Sequence, residues 1–267
     1  MNDIREEWYD EKRRVAITLV DVKSAVAVLA RGHLAGPTSA YFLAKGCAEA
    51  ALLGSEMSDK DETLIVQTKC SGPLGGIVVE CTAAGTLRGY TEMKTLDAFD
   101  TLSEPSPKMV LGDTRVQVTR TLPGKILSQG VSNSIDGYLA GSLQRRAVIN
   151  TEAKVSRDVE ILKARGVMLE LLPDCKESLS VDIEKITLDG TGAEIVAALG
   201  FQEAVLKKSA PIKFACRCNP DRAIAAIAAL SAEEKAKLPS KIDITCHMCG
   251  RTFTTRDGGV VDSSISL

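Results

Sequence analysis

The chain has 267 residues, 45% of them hydrophobic, and a formal net charge of −2. That length is enough for one substantial core plus a small appended module, and the near-neutral charge gives no general attraction for nucleic acid or an anionic membrane. The first residues carry acidic side chains and no apolar block, and no stretch approaches the roughly 20 apolar residues that span a bilayer, so a soluble, cytoplasmic protein is expected.

From Thr38 to Gly54 the residues Phe42, Leu43, Cys47, Ala51 and Leu52 recur at helical spacing, with Thr38 as the expected N-cap and Gly54 as the stop. Thr63 to Lys69 and Ile77 to Thr82 are rich in β-branched residues and joined by the turn-forming run Ser71 to Gly76; with Thr86 to Tyr90 they predict an antiparallel meander. Arg115 to Thr121 alternates as a half-buried strand does, and Pro123-Gly124 ends it. Ser134 to Arg146 predicts a helix, with Arg145 and Arg146 set against the negative end of its dipole. Ala147-Val148-Ile149 and Val159 to Leu162 read as short strands, and Gly166 to Leu172 as a firmer one closed by Pro173. No nucleophile–base–acid set and no phosphate-cradling glycine loop is legible here, so an enzyme is not expected.

Residues 176–211 mix helical signals with breaks. Ile183, Ile186 and Leu188 precede Asp189-Gly190-Thr191-Gly192, and Ile195, Val196, Leu199, Phe201, Val205 and Leu206 then give a short amphipathic pattern. An apolar face of that length needs something to cover. Two readings stand: a detachable cover lying across the preceding domain, or an ordinary part of its core.

The most informative residues follow. Cys216-Arg217-Cys218 and Cys246-His247-Met248-Cys249 form a C-x-C and a C-x-x-C pair, the donor set of a closed tetrathiolate site of the kind that holds zinc structurally. Between them, Asn219 and Pro220 open a helix with an Ile224, Ile227, Ala228, Leu230 stripe, and Ser231 with Glu234 forms a capping box for a second. Ile242 to Thr245 reads as a strand delivering Cys246, and Thr252 to Thr254 as its return; Arg256 to Leu267 reads as a polar, frayed tail. Arg217, Arg222 and Arg251 are candidates for offsetting the charge of the sulfurs, and His247 is an alternative ligand. Cys47, Cys70, Cys81 and Cys175 lie singly in apolar surroundings and read as core residues. One tight cluster plus scattered single cysteines fits a reducing compartment. The local basic excess over 213–256 leaves a nucleic-acid-binding zinc ribbon as one alternative function, and the C-x-x-C leaves a thiol–disulfide oxidoreductase as another.

The C-x-C pair, the excursion beginning Asn219-Pro220-Asp221-Arg222 and the C-x-x-C-G knuckle before an aromatic strand resemble the zinc centre of the redox-regulated heat-shock chaperones called the 33 kDa chaperonin family. Ser71 to Glu80, Gly85 to Tyr90, Val118-Thr119-Arg120, Tyr138-Leu139-Ala140 and Gly166 to Pro173 resemble family segments in family order. The first 35 residues match poorly, Leu143-Gln144 replaces a more polar stretch, and His247-Met248 replaces the commoner acidic–aromatic pair.

The resemblance implies an α+β chain: a mixed α/β N-terminal client-binding domain with antiparallel sheets over 1–175, a partly helical linker over 176–211, a zinc redox-switch domain over 212–256 and a polar tail over 257–267. It further implies an ATP-independent holdase that is not an enzyme. One Zn2+ per chain is bound by Cys216, Cys218, Cys246 and Cys249 in the reduced form, and oxidation gives disulfides Cys216–Cys218 and Cys246–Cys249, these pairings being also the nearest along the chain. The implied partners are unfolded or aggregation-prone client proteins and, after oxidation, a second copy of the chain, with no nucleic acid and no membrane.

Overall fold

A helix whose surface is apolar all round has to be buried all round, and Pro37–Leu53 buries most of its 17 residues, Phe42, Leu43, Cys47, Ala51 and Leu52 among them. Two sheets enclose it. In the computed structural model, which describes residues 3–102, 105–173, 175, 183–239, 241–256 and 259–262, the chain opens with a hairpin, β1 (Ile4–Asp10) and β2 (Val15–Asp21), followed by α1 (Lys23–Gly32) and this central helix, α2 (Pro37–Leu53). The meander is β3 (Thr63–Cys70), β4 (Gly76–Thr82) and β5 (Thr86–Thr91). After α3 (Pro107–Leu111) come β6 (Thr114–Leu122), β7 (Lys125–Ser132), α4 (Ile135–Gly141) and a long hairpin, β8 (Arg146–Val155) and β9 (Ile161–Leu171). Next are α5 (Gly192–Ala198), β10 (Val205–Pro211) and β11 (Lys213–Phe214). The C-terminal module contains α6 (Pro220–Ala228), α7 (Ala232–Ala236), β12 (Ile242–Thr245), β13 (Thr252–Arg256) and β14 (Gly259–Asp262).

The first sheet has the order β10-β1-β2-β9-β8 and is antiparallel throughout. The second has the order β11-β5-β4-β3-β6-β7, antiparallel except for the two-residue parallel pairing of β11 with β5. The fold is thus α+β with antiparallel sheets, as expected. Gly46 lies against Ile77 and Val79, and Gly166 against Leu52 and Ala48, so α2 meets a sheet on either side.

Alternation along a strand sends successive side chains to opposite faces. In β9, Ala164 and Met168 join the core around α2, whereas Val167, Leu169 and Leu171 join a second apolar cluster on the other face. The continuous apolar run read at 166–172 is therefore a strand covered on both faces. The second face also takes Val15, Ile17 and Leu19 of β2, and what covers it is the connector: Ile183, Leu188, Ile195, Val196, Leu199 and Phe201 are all buried there. Polar bonds fasten the cover at its turn. Arg165 donates from Nη1 to the carbonyls of Leu188 (3.0 Å) and Gly190 (2.7 Å) and from Nε to Asp21 (2.8 Å). Glu152 accepts from the Leu188 amide at 3.1 Å, and Lys163 bridges Glu152 and Asp189. Residues 176–182 of the connector lie outside the described residues.

Several expectations need correction. Thr38 is not the cap of α2; Gly36 is, and the carboxylate of Asp100 reaches in to accept from the Thr38 amide at 2.9 Å. The helix expected to reach Arg146 ends at Gly141, because Gln144 turns the chain with a φ of 54°, Arg145 pairs with Glu56 and Glu170, and Arg146 already begins β8. Pro123-Gly124 does end β6, and it does so by turning the chain back as a hairpin into β7, a strand that was not expected. Within the expected tail, 259–262 form β14, paired with β13; 257–258 and 263–267 lie outside the described residues.

Candidate metal centre

The C-x-C pair is delivered by the second sheet. Lys213 and Ala215 donate to the carbonyls of Gly85 and Leu87 at 2.9 and 3.2 Å, and the chain then leaves the sheet at Cys216. Asn219 caps α6, its side chain accepting from the Arg222 amide at 2.9 Å, with Pro220 in the first turn where its missing N–H is no loss. Ser231 and Glu234 form the reciprocal capping box of α7. The chain returns through the β12–β13 hairpin, whose tip is the knuckle: the Cys246 amide donates to the Arg251 carbonyl at 2.8 Å and the Gly250 amide to the Cys246 carbonyl at 2.8 Å. Gly250 has a φ of 75°, and a Cβ there would stand 1.9 Å from the carbonyl oxygen of Gly32. Only glycine allows both the turn and the contact of the knuckle with the end of α1.

Four sulfurs meet at that point. One ligand atom from each of Cys216, Cys218, Cys246 and Cys249 lies within 4.8 Å of all the others, with 3.8 Å between Cys216 and Cys246 and 3.5 Å between Cys218 and Cys249. Four thiolates placed tetrahedrally at about 2.3 Å from a zinc ion are roughly 3.8 Å apart from one another. The donor set and its spacing therefore fit a tetrahedral divalent cation, and all four cysteines carry free thiols rather than disulfides. Among themselves the sulfurs share charge unevenly. Hydrogen bonds from Cys246 and Cys249 hold Cys216 well below the usual thiol range, while burial and the charge of neighbouring sulfurs push Cys218 up to about 11. A coordinated cation would hold all four as thiolates.

The module docks on the N-terminal domain through residues to which sequence reasoning gave another role or none. The ring of His247 packs on Tyr90 with centroids 4.0 Å apart and planes at 69°, so it serves the contact and is not among the clustered ligands. His33 is buried behind it, its Nε2 2.9 Å from the Gly89 carbonyl, and burial lowers it to about 4. Arg88 of β5 points Nη1 at the Cys216 sulfur, 3.6 Å away, and grips both carboxylate oxygens of Glu80 at 2.8 and 2.6 Å. Burial works against the Arg88 charge, but its bonds to Glu80 and Cys216 outweigh that and keep it protonated. Of the arginines near the cluster in sequence, Arg217 reaches Glu80 and not a sulfur, and Arg251 contributes its backbone carbonyl. The signal that would have found Arg88 is the register of β4 with β5, which sets it opposite Glu80 beside the entry of β11.

Cys47, Cys81 and Cys175 are buried and Cys70 partly so, and none of them is among the clustered sulfurs. Burial pushes Cys81 up to about 12 and Cys47 higher still, which makes both poor nucleophiles. No helix among the described residues is long and apolar enough to cross a membrane.

Comparison with known proteins agrees with this architecture. A solved structure, the 33 kDa chaperonin (heat shock protein 33 homolog) of Thermotoga maritima, superposes with a TM-score of 0.85 at 18% identity, covering 97% of this chain and 96% of that one; it shares the fold. The 33 kDa chaperonin of Thermus thermophilus is 27% identical over 258 residues, covering 84% of this chain and 75% of that protein. That of Listeria monocytogenes is 27% identical over 274 residues, covering 92% of each. The family model described as Hsp33 protein matches residues 7–256, and the chain belongs to that family of chaperones.

Proposed function

We propose that the chain is a redox-regulated, ATP-independent holdase. In the reduced form one zinc ion bound by Cys216, Cys218, Cys246 and Cys249 keeps the C-terminal module folded, since structural zinc supplies folding energy that so small a unit lacks by itself. Oxidation removes the ligands, the metal leaves, the module unfolds and apolar surface is uncovered that binds unfolding proteins and pairs with a second oxidised copy. The reading divides the chain into a client-binding domain over 1–175, a linker over 176–211, a redox switch over 212–256 and a tail over 257–267, acting in the reducing cytoplasm.

The observation that carries it is continuity. The cysteine cluster begins two residues after β11 ends, and the run β10–β11 follows directly on the cover over the first sheet's outer face. Each bridge forms when peroxide oxidises one thiolate to a sulfenic acid and a second thiolate displaces hydroxide from it, so two peroxides take up the four electrons. The pairing we infer is Cys216–Cys218 and Cys246–Cys249. The 3.8 and 3.5 Å contacts run across the pairs, and peptide mapping of the oxidised protein separates the two connectivities. The C-x-x-C lies in a β-hairpin knuckle rather than at a helix N-terminus, where oxidoreductases activate a thiol, which disfavours that alternative.

The test is suppression of thermal aggregation of an unrelated client. Reduced, zinc-loaded protein is expected to be weak and peroxide-treated protein active without nucleotide, with reductant plus zinc reversing the change. Equal suppression by both forms, or none by the oxidised form, sinks the reading.

A further inference from the structure

A tetrathiolate around a divalent cation carries two net negative charges, and its sulfurs need hydrogen-bond donors. The module supplies backbone amides: Cys218 to the Cys216 sulfur and Arg251 to that of Cys249. The charged donor comes from outside it. Arg88 stands on β5 of the N-terminal domain, and its guanidinium reaches the Cys216 sulfur from Nη1 at 3.6 Å while Nε and Nη2 hold Glu80.

The arrangement is closed on itself. Glu80 and Arg88 are register partners across β4 and β5, so the ladder sets both side chains on one face, and the side chains of both are nearly buried, at 8% and 12% exposure. Glu80 also accepts Arg217, the residue between the two cysteines of the C-x-C pair, at 2.8 and 3.0 Å. One cross-strand pair of the sheet thus holds both the first sulfur of the cluster and the residue that follows it. A planar guanidinium with five N–H groups in a fixed fork can make these contacts together; an ammonium cannot.

We propose that Glu80 and Arg88 belong functionally to the cysteine centre, with Arg88 a positioning residue that fixes the Cys216 sulfur and slows release of the metal, so that the N-terminal sheet itself sets how readily the switch fires. This rests on the metal-binding reading of the four cysteines. Linkage makes the effect reciprocal: a sheet that favours the metal is in turn braced by it. Oxidation of Cys216 takes away a charged acceptor of Arg88, which loosens the module from the sheet at the same step that loses the ligand.

The experiment loads full-length wild type, Arg88→Gln, Arg88→Lys and the double variant Glu80→Gln/Arg88→Gln with zinc under reducing conditions, then follows release into excess chromogenic chelator. Removing a partner behind a metal ligand typically weakens metal binding by roughly 10–100-fold, and Arg88→Gln is expected to release zinc faster by about that factor, with Arg88→Lys in between. The double variant removes both buried charges together, so it remains interpretable if Arg88→Gln alone folds poorly, and it too is expected to release zinc fast. With cobalt in place of zinc, loss of the N–H donor is expected to move the sulfur-to-cobalt charge-transfer band to longer wavelength, which a change in folding stability alone would not do. Wild-type release rates and an unshifted band in the variants overturn the proposal while leaving the metal site standing. Failure of the wild type to bind zinc overturns both. Fast release by the variants in a protein that shows no oxidant-dependent client binding supports the role of Arg88 and counts against the holdase reading alone.

Discussion

Leu188 is the residue at which the cover can be tested against the alternative that 183–201 is ordinary core. Its side chain is fully buried in the cluster on the outer face of the first sheet, while its amide and carbonyl are held by Glu152 and Arg165. Leu188→Ala leaves those backbone bonds in place and removes only apolar packing, a change that costs about 2–5 kcal/mol in a core. At about 1.4 kcal/mol per tenfold, the opened population of the cover rises by roughly 30-fold to several thousandfold if it opens as a unit. Reduced, zinc-loaded Leu188→Ala is then expected to show faster hydrogen exchange across 192–201 with α2 still protected, and partial aggregation suppression without peroxide. Leu139→Ala, which empties an equally buried site in the core around α2, serves as the control and is expected to lower global stability without selective exchange of the cover. If Leu188→Ala raises exchange of the cover and of α2 together, the cover opens only with the whole fold and the detachable reading is refuted.

Three further outcomes are expected. The Cys246→Ser, Cys249→Ser variant loses tight zinc binding by metal analysis; full retention would place the metal elsewhere. Cys216→Ser with Cys218→Ser loses oxidant control and suppresses aggregation partly without peroxide, because a module that cannot bind metal cannot hold its fold; a variant that stays silent argues against release by unfolding. His33 gives a pH dependence: burial lowers it from 6.5 to about 4, so its contribution to docking is complete above pH 6.5 and is lost as pH falls toward 4, by roughly 1.4 kcal/mol per pH unit. Thermal stability of zinc-loaded His33→Asn is expected to fall less steeply than wild type over that window, the thiolate protonation common to both cancelling in the comparison.

What was legible in the sequence is what local chemistry dictates. The caps at Asn219 and Ser231, the meander of β3 to β5 and the four cysteines all follow from residue type and spacing, and each is where it was expected. β2 is an apolar, β-branched run whose signal was present in the residues and was not read. The first strand escaped because Ile4–Asp10 has mostly half-buried, polar positions, and its strand character comes from lying between β2 and β10. β7 escaped for the same reason, with Ile126, Leu127 and Val131 exposed on an edge strand that has no buried face to write a period of two. The contacts of Arg88 and Tyr90 with the cysteine module, and of His33 with the Met248 backbone, are products of tertiary register, and a single chain read along its length carries no mark of them.

How the signal would travel is constrained by where the parts lie. The cover sits on the outer face of the first sheet, whereas the cysteine module docks on β4, β5 and the end of α1. Residues 205–215 join the two: β10 pairs with β1, the Ile212 amide donates to the Asp3 carbonyl at 3.0 Å, and β11 holds on to β5 by two residues. As an edge strand with Val205 and Leu206 exposed, β10 is the least secured member of its sheet. Unfolding of the module should therefore first strip β11, then β10, and only then the cover. Glu7 and Lys208 are register partners of β1 and β10 whose side chains meet at 3.5 Å, so Glu7→Cys with Lys208→Cys allows a disulfide pin across that step. In the pinned protein, peroxide is expected to release zinc as in wild type, while hydrogen exchange over 192–201 stays at the reduced level and client binding falls. Release of the cover in spite of the pin would mean that it answers to the cysteine centre by a route other than β10, and the order of events argued from this geometry would have to be abandoned.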